Sequence, residues 1–126
     1  MSPEHKPLVW IGDSRKRLRE FPDDTQSIMG FALRHAQAGG KHIDAKPLKG
    51  FGGAGVLEIV EDHDGDTYRA VYTVRFREVV YVLHAFKKKS KRGIKTPAQD
   101  MEAIKSRYAD AARRHEEWVS GKRSEP

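Results

Sequence analysis

The chain has 126 residues, room for one domain around one modest core. Hydrophobic residues make up 37% and charged residues 33%, and the mean hydropathy of -0.75 points to a thin core under a heavily charged surface. The absence of cysteine excludes a disulfide framework, a thiolate nucleophile and a cysteine-based zinc site, and makes a reducing cytoplasm the expected compartment. No run approaches the ~20 apolar residues that a bilayer span needs, and Met1 to Pro7 carries no apolar stretch of signal-peptide length, so no membrane association is expected. The 24 Lys+Arg against 18 Asp+Glu give +6, which favours a polyanion or an acidic protein as partner.

The first element in chain order is a short strand over Pro7 to Ile11, closed by Gly12. Asp13 or Ser14 is placed to cap a helix carrying Leu18 and Phe21, and Pro22 ends it. Asp23 or Asp24 opens a second helix, with Ile28, Phe31, Ala32 and Ala36 at helical spacing and Gly39-Gly40 as its stop, so the two helices read as an antiparallel hairpin. Lys41 to Gly55 reads as a loop. Three strands follow at Val56 to Glu61, Thr67 to Val74 and Val79 to Phe86. Asp64-Gly65 suits the positive backbone angles of a tight hairpin, and Arg75 to Glu78 joins the last two strands as an antiparallel pair. Thr96-Pro97-Ala98-Gln99 fits a helix start with Thr96 as cap and Pro97 as first helical residue. Met101, Ile104, Tyr108 and His115 continue an amphipathic helix to about Trp118. The expected fold class is α+β: an N-terminal strand and helical hairpin packed on an antiparallel meander, with a C-terminal helix. The whole of 1–126 reads as a single domain, with 1–6 and 120–126 as flexible tails.

Chemistry concentrates near the last strand. Lys87, Lys88, Lys89, Lys91, Arg92 and Lys95 form a dense basic run. A two- or four-residue turn after Val74 places Arg69 opposite His84, on one face with Val71, Thr73, Val80 and Val82, leaving Ala70, Tyr72, Val74, Tyr81, Leu83 and Ala85 as the core face. A three-residue turn shifts the pairing by one and separates Arg69 from His84. Each of these residues also has a plain structural reading. Arg69 can be satisfied by an ion pair to Glu58 or Glu61, His84 can be a packed histidine beside Phe86, and the lysine run can be a solvated loop. Gly50, Gly52, Gly53 and Gly55 precede a strand rather than a helix, so they do not form a phosphate-binding fingerprint. The six histidines show no paired ligand spacing, and neither a metal nor any other cofactor is expected. Trp10, Tyr72 and Tyr81 read as core rather than as stacking platforms.

Leu48-Lys49-Gly50, Gly55 to Ile59, Tyr68 to Tyr72 and Val82 to Ser90 occur in the order, and on the elements, of the RelE/ParE toxin superfamily. Over roughly Val9 to Tyr108 the chain resembles that superfamily, and more narrowly its HigB-like branch, also found as phage-related proteins. The resemblance implies a type II toxin-antitoxin toxin that cleaves messenger RNA on the ribosome, without metal, by attack of a ribose 2'-hydroxyl on the adjacent phosphate. It further implies a cognate antitoxin of the helix-turn-helix kind. Arg69 matches the family's phosphate-gripping strand arginine, and Lys87 and Lys88 match its basic pair at the end of the last strand. Two lysines that some members carry on the first meander strand are replaced here by Glu58 and Val60. The remaining catalytic set is Glu58 or His84 as base and His84 or Lys88 as acid around Arg69, with Lys46, Lys49, Lys87, Lys89, Lys91 and Arg92 binding phosphate. Two other functions stay open at this stage: a ParE-like inhibitor of DNA gyrase, and a non-catalytic phage-derived nucleic-acid-binding protein.

Overall fold

The computed structural model describes residues 5–53, 55–88 and 96–121. Strand β1 (Leu8–Trp10) is followed by helices α1 (Ser14–Leu18) and α2 (Asp23–Gln37). Strands β2 (Ala45–Pro47), β3 (Val56–His63), β4 (Asp66–Thr73) and β5 (Val80–Lys88) come next, and α3 (Ala98–Ser120) closes the order. The strands form a five-stranded sheet in the order β1-β5-β4-β3-β2. The expected meander is present over β3, β4 and β5, with β1 added in parallel on β5 and β2 added antiparallel on β3. The architecture is α+β, with the C-terminal helix in the expected place.

Local chemistry explains the tightest connection. Asp64 and Gly65 take positive φ values of 51° and 85°, and His63 pairs with Asp66 across them. A two-residue turn with both central residues left-handed matches the right-handed twist of the strands, which is why Asp-Gly sits there. Other terminations differ from expectation. No side-chain hydrogen bond caps any of the three helices: α1 begins after Asp13, and Pro22 and Pro97 stand at the caps of α2 and α3. Proline in extended backbone fixes the entry direction instead, and Asp23 and Asp24 in the first turn of α2 complement its positive end. Because α1 has only five residues, the anticipated hairpin is one short turn followed by a long helix. Lys6, assigned to a flexible tail from the sequence, exchanges two hydrogen bonds with Gln37 at the end of α2.

The sheet is covered on both faces. On one, Ala70, Tyr72, Val80, Val82 and Ala85 pack with Leu18 of α1 and Met29 and Leu33 of α2. On the other, Val71, Tyr81, Leu83 and Phe86 pack with Ile104 and Ala111 of α3. Val79 to Phe86 are all buried, which is why this stretch reads as an apolar run, interrupted only by His84, without alternation. The expected division of faces fails for β5, and the cause is a bulge. Val71 pairs with His84 while Tyr72 pairs with Val82, so Leu83 is an extra residue on β5. Val80 and Val82 therefore lie on the α1/α2 face, and Tyr81 and Leu83 lie on the α3 face. Arg69 pairs with Phe86, two residues from His84.

Candidate functional site

The α3 face of the sheet gathers most of the sequence-predicted residues. Lys46 pairs with Glu58, Glu58 with Val71, and Val71 with His84, so one row crosses four strands on one face. The next row is Val60, Arg69 and Phe86, and the one beyond holds Asp62, Thr67 and Lys88. Lys46, Glu58, Arg69, His84 and Lys88 thus share a side of the sheet. Lys46 is exposed and Lys88 half-buried.

Arg69 and Glu58 form a buried ion pair, with Arg69 Nη1 donating to Glu58 Oε2 at 2.9 Å and side chains only 5% and 11% exposed. Such a pair is held against a desolvation cost of several kcal/mol per ion, so neither partner can leave the other cheaply. Glu58 occupies Nη1 of this buried guanidinium, so a phosphate binding at that nitrogen would replace the carboxylate. The same replacement releases a carboxylate.

His84 is held on both ring nitrogens. Arg107 Nη1 donates to Nδ1 at 2.8 Å, which makes Nδ1 the acceptor and leaves Nε2 carrying the proton, donated to Asp100 Oδ1 at 2.8 Å. Phe86 stacks on the ring at 5.2 Å between centroids. Burial pushes the imidazole below its ordinary value, the Asp100 hydrogen bond opposes this, and the Arg107 charge adds to the lowering. A neutral His84 clamped at both ends is placed to orient its neighbours rather than to exchange protons with a ligand.

Arg107 is the centre of a network the sequence reading did not anticipate. Its Nη1 also donates to the Leu83 carbonyl at 3.1 Å, and its Nη2 meets Asp13 Oδ1 at 2.9 Å. Asp13 Oδ2 in turn accepts from Arg17 Nε at 2.9 Å. Burial alone would raise the Asp13 carboxyl, but the Arg17 hydrogen bond and the Arg107 and Arg17 charges outweigh it and hold the group below its usual value. Asp100, His84, Arg107, Asp13 and Arg17 thereby tie α3, the bulged part of β5 and α1 together. A signal existed: Asp100 and Arg107 stand seven residues apart, two turns on one helix face, at polar positions beside the apolar stripe of α3.

The remaining predicted cations are dispersed. Lys49 is exposed in the loop before β3, and Lys87 points to the opposite face, 3.4 Å from Asp66 Oδ2 and over the Tyr68 ring at 5.9 Å. Lys89, Lys91 and Arg92 lie outside the described residues. The sequence reading passed over Arg15, Lys16, Arg17 and Arg19, all exposed around α1, whose signal was plain as a run of four cations in five residues. A hollow of about 430 Å³ lies between α1 and β5, walled in part by Lys16, Arg17 and Lys87. Arg69 and Lys88 do not line it. Among the described residues no group of three or more His, Asp or Glu could hold a metal ion, and no helix is long and apolar enough to cross a membrane.

Comparison with known proteins adds three findings. A family model described as "Phage derived protein Gp49-like (DUF891)" matches residues 16–109. No curated protein matches the chain. Among solved structures, the chain is similar to a chain of the toxin-antitoxin complex RelBE2 from Mycobacterium tuberculosis, at 18% identity and a TM-score of 0.45 over 69% of this chain and 95% of that one. It is also similar to a mutant of the E. coli toxin RelE in the free state, at 16% identity and a TM-score of 0.48 over 87% of this chain and 97% of that one. Likeness at this level assigns no role to any residue.

Proposed function

Since the chain belongs to the Gp49-like family of phage-derived proteins, we propose that it is the toxin of a toxin-antitoxin pair and that it cleaves messenger RNA. The observation that carries this reading is the ion pair of Arg69 and Glu58, set on one sheet face with Lys46 and Lys88. In the proposed reaction the scissile phosphate displaces Glu58 from Arg69. The freed carboxylate takes the proton of the ribose 2'-hydroxyl, and its oxygen attacks the phosphorus. Arg69 balances the charge that develops on the phosphoryl oxygens. The 5'-oxygen leaves with a proton from Lys88, giving a 2',3'-cyclic phosphate and a 5'-hydroxyl. Glu58 is preferred to His84 as base, and Lys88 to His84 as acid, because both His84 nitrogens are engaged. Lys46 and Lys49 steer the strand.

In this reading the chain works in the cytoplasm on ribosome-bound messenger, and an antitoxin of the helix-turn-helix kind, as in the HigB-like branch, holds it in check. The test is expression of the chain alone, with growth followed and messenger ends mapped by primer extension. Arrest with cleaved messenger is expected, and Lys88→Ala and Glu58→Gln, checked for folding by circular dichroism, should lose the cleavage. Full cleavage by both folded variants contradicts the site. Arrest with intact messenger and altered plasmid supercoiling contradicts the reaction and favours gyrase as target.

A further inference from the structure

Two basic segments about 70 residues apart in sequence meet at the hollow between α1 and β5. The exposed cations Lys16, Arg17 and Lys87 form its rim, and Phe21 and Tyr68, whose rings meet edge to face at 4.9 Å, form its floor, whereas the Phe86 ring lies on the α3 face against His84. Arg15, Lys16 and Arg19 have no ion-pair partner among the described residues, whereas Arg17 and Lys87 make only exposed pairs, with Asp13 at 2.9 Å and Asp66 at 3.4 Å. β1 pairs with only Val80 to Val82, so the flank of β5 from Ala85 onward borders this hollow instead of another strand. Its volume of about 430 Å³ suits one nucleotide-sized group.

We propose that this groove binds single-stranded RNA as a surface separate from the Arg69 face, with phosphates on the cationic rim and one base against the aromatic floor. The proposal rests on the reading that the chain acts on RNA, and it adds a place for strand lying away from the cut. The pattern of a cationic track beside an apolar, ring-lined seat is the chemistry that holds unpaired strand without reading sequence. A purely acidic segment such as polyglutamate shares the charge but brings no flat ring to the floor. Lys87 is preset for this role, because the Tyr68 ring and Asp66 hold its ammonium at the rim. Glu20, also on the wall, opposes it and tunes the affinity downward.

The experiment measures binding of a labelled short single-stranded RNA to the full chain by fluorescence anisotropy at several salt concentrations. Lys16→Ala and Lys87→Ala should each weaken binding several-fold, and each should reduce the log-log salt slope by roughly 0.7, the value for one phosphate contact on a single strand. Glu20→Lys should tighten binding. Lys105→Ala with Arg114→Ala, exposed on α3 across the sheet, should change it less than twofold. Each variant is first matched to the parent by melting temperature. The proposal is overturned if the parent does not bind RNA, if the groove variants bind like the parent, if the α3 pair loses as much as the groove pair, or if polyglutamate competes as well as unlabelled RNA. Glu58→Gln separates the two readings, because it should lose cleavage while keeping groove-dependent binding. Groove-dependent binding by a chain that never cuts messenger sinks the nuclease and leaves the groove standing. Normal cleavage with groove variants that bind like the parent does the reverse.

Discussion

The guanidinium of Arg107 donates to His84 Nδ1 at 2.8 Å, so a helix residue dictates which nitrogen of a strand histidine carries the proton. Burial disfavours a charged His84, and protonation would also set a second cation against that guanidinium, which together outweigh the Asp100 hydrogen bond. The folded protein therefore binds this proton less readily than the unfolded chain, whose histidine titrates near 6.5. With the unfolded state holding more protons, the His84 contribution to stability is intact above 6.5 and declines as the pH falls from there towards the lowered folded value. Thermal melts across that range should show this decline in the parent. His84→Gln, whose amide can accept from Arg107 and donate to Asp100, should show a flatter dependence. Equal slopes in the two proteins would refute the linkage.

Glu61 contributes with the opposite sign. Burial, a hydrogen bond with Asp44 and the charges of Asp44 and Asp62 push its carboxyl from 4.5 up to about 7. The folded state now holds the extra proton, so this group favours folding at low pH, and the benefit disappears as the pH rises through about 7. Glu61→Gln removes the repulsion and should raise the melting temperature above neutrality by roughly 2–4 °C, with little change in acid. Differential scanning calorimetry at both ends of the range checks it.

Removing one partner of the buried Arg69 and Glu58 pair strands the other. Arg69→Met and Glu58→Leu should each cost about 3–5 kcal/mol in urea unfolding, whereas the double variant should recover most of that loss. A double variant as unstable as the sum of the singles would show that the two side chains do not compensate each other.

Gly12 has φ of 61°, and a Cβ there would stand 2.7 Å from Arg107 Nε. Gly12→Ala meets both the left-handed backbone and the central arginine of the network. It should destabilise the fold by about 1–3 kcal/mol, and an amide hydrogen-exchange map should show the loosening around Leu83 and His84 first.

Tyr72 is fully buried, its hydroxyl has no hydrogen-bond partner among the described residues, and burial pushes the phenol up to about 12. Tyr72→Phe removes the stranded hydroxyl and keeps the ring. Stability should stay level or rise by about 1 kcal/mol, as read from chemical denaturation.

What the sequence revealed followed how local each cause was. The Asp64-Gly65 turn is a property of two adjacent residues, and it stood out. β2 did not, because Ala45–Pro47 is a strand only by virtue of its pairing with Leu57 to Ile59 on β3. The bulge was hidden for a different reason. Both faces of β5 are buried, so shifting one residue replaces apolar with apolar and leaves no mark in the pattern. At the site, the Arg69 partner was foreseeable among two neighbouring glutamates, whereas the clamp on His84 depends on where α3 docks.

The margins of the sheet have a consequence for how these molecules meet one another. Its outermost strands are three residues long at each side, and one of them ends in Pro47 after an exposed Lys46. A neighbouring copy finds few free amides on either of these strands, and a like charge beside one of them, so neither should readily seed edge-to-edge polymerisation.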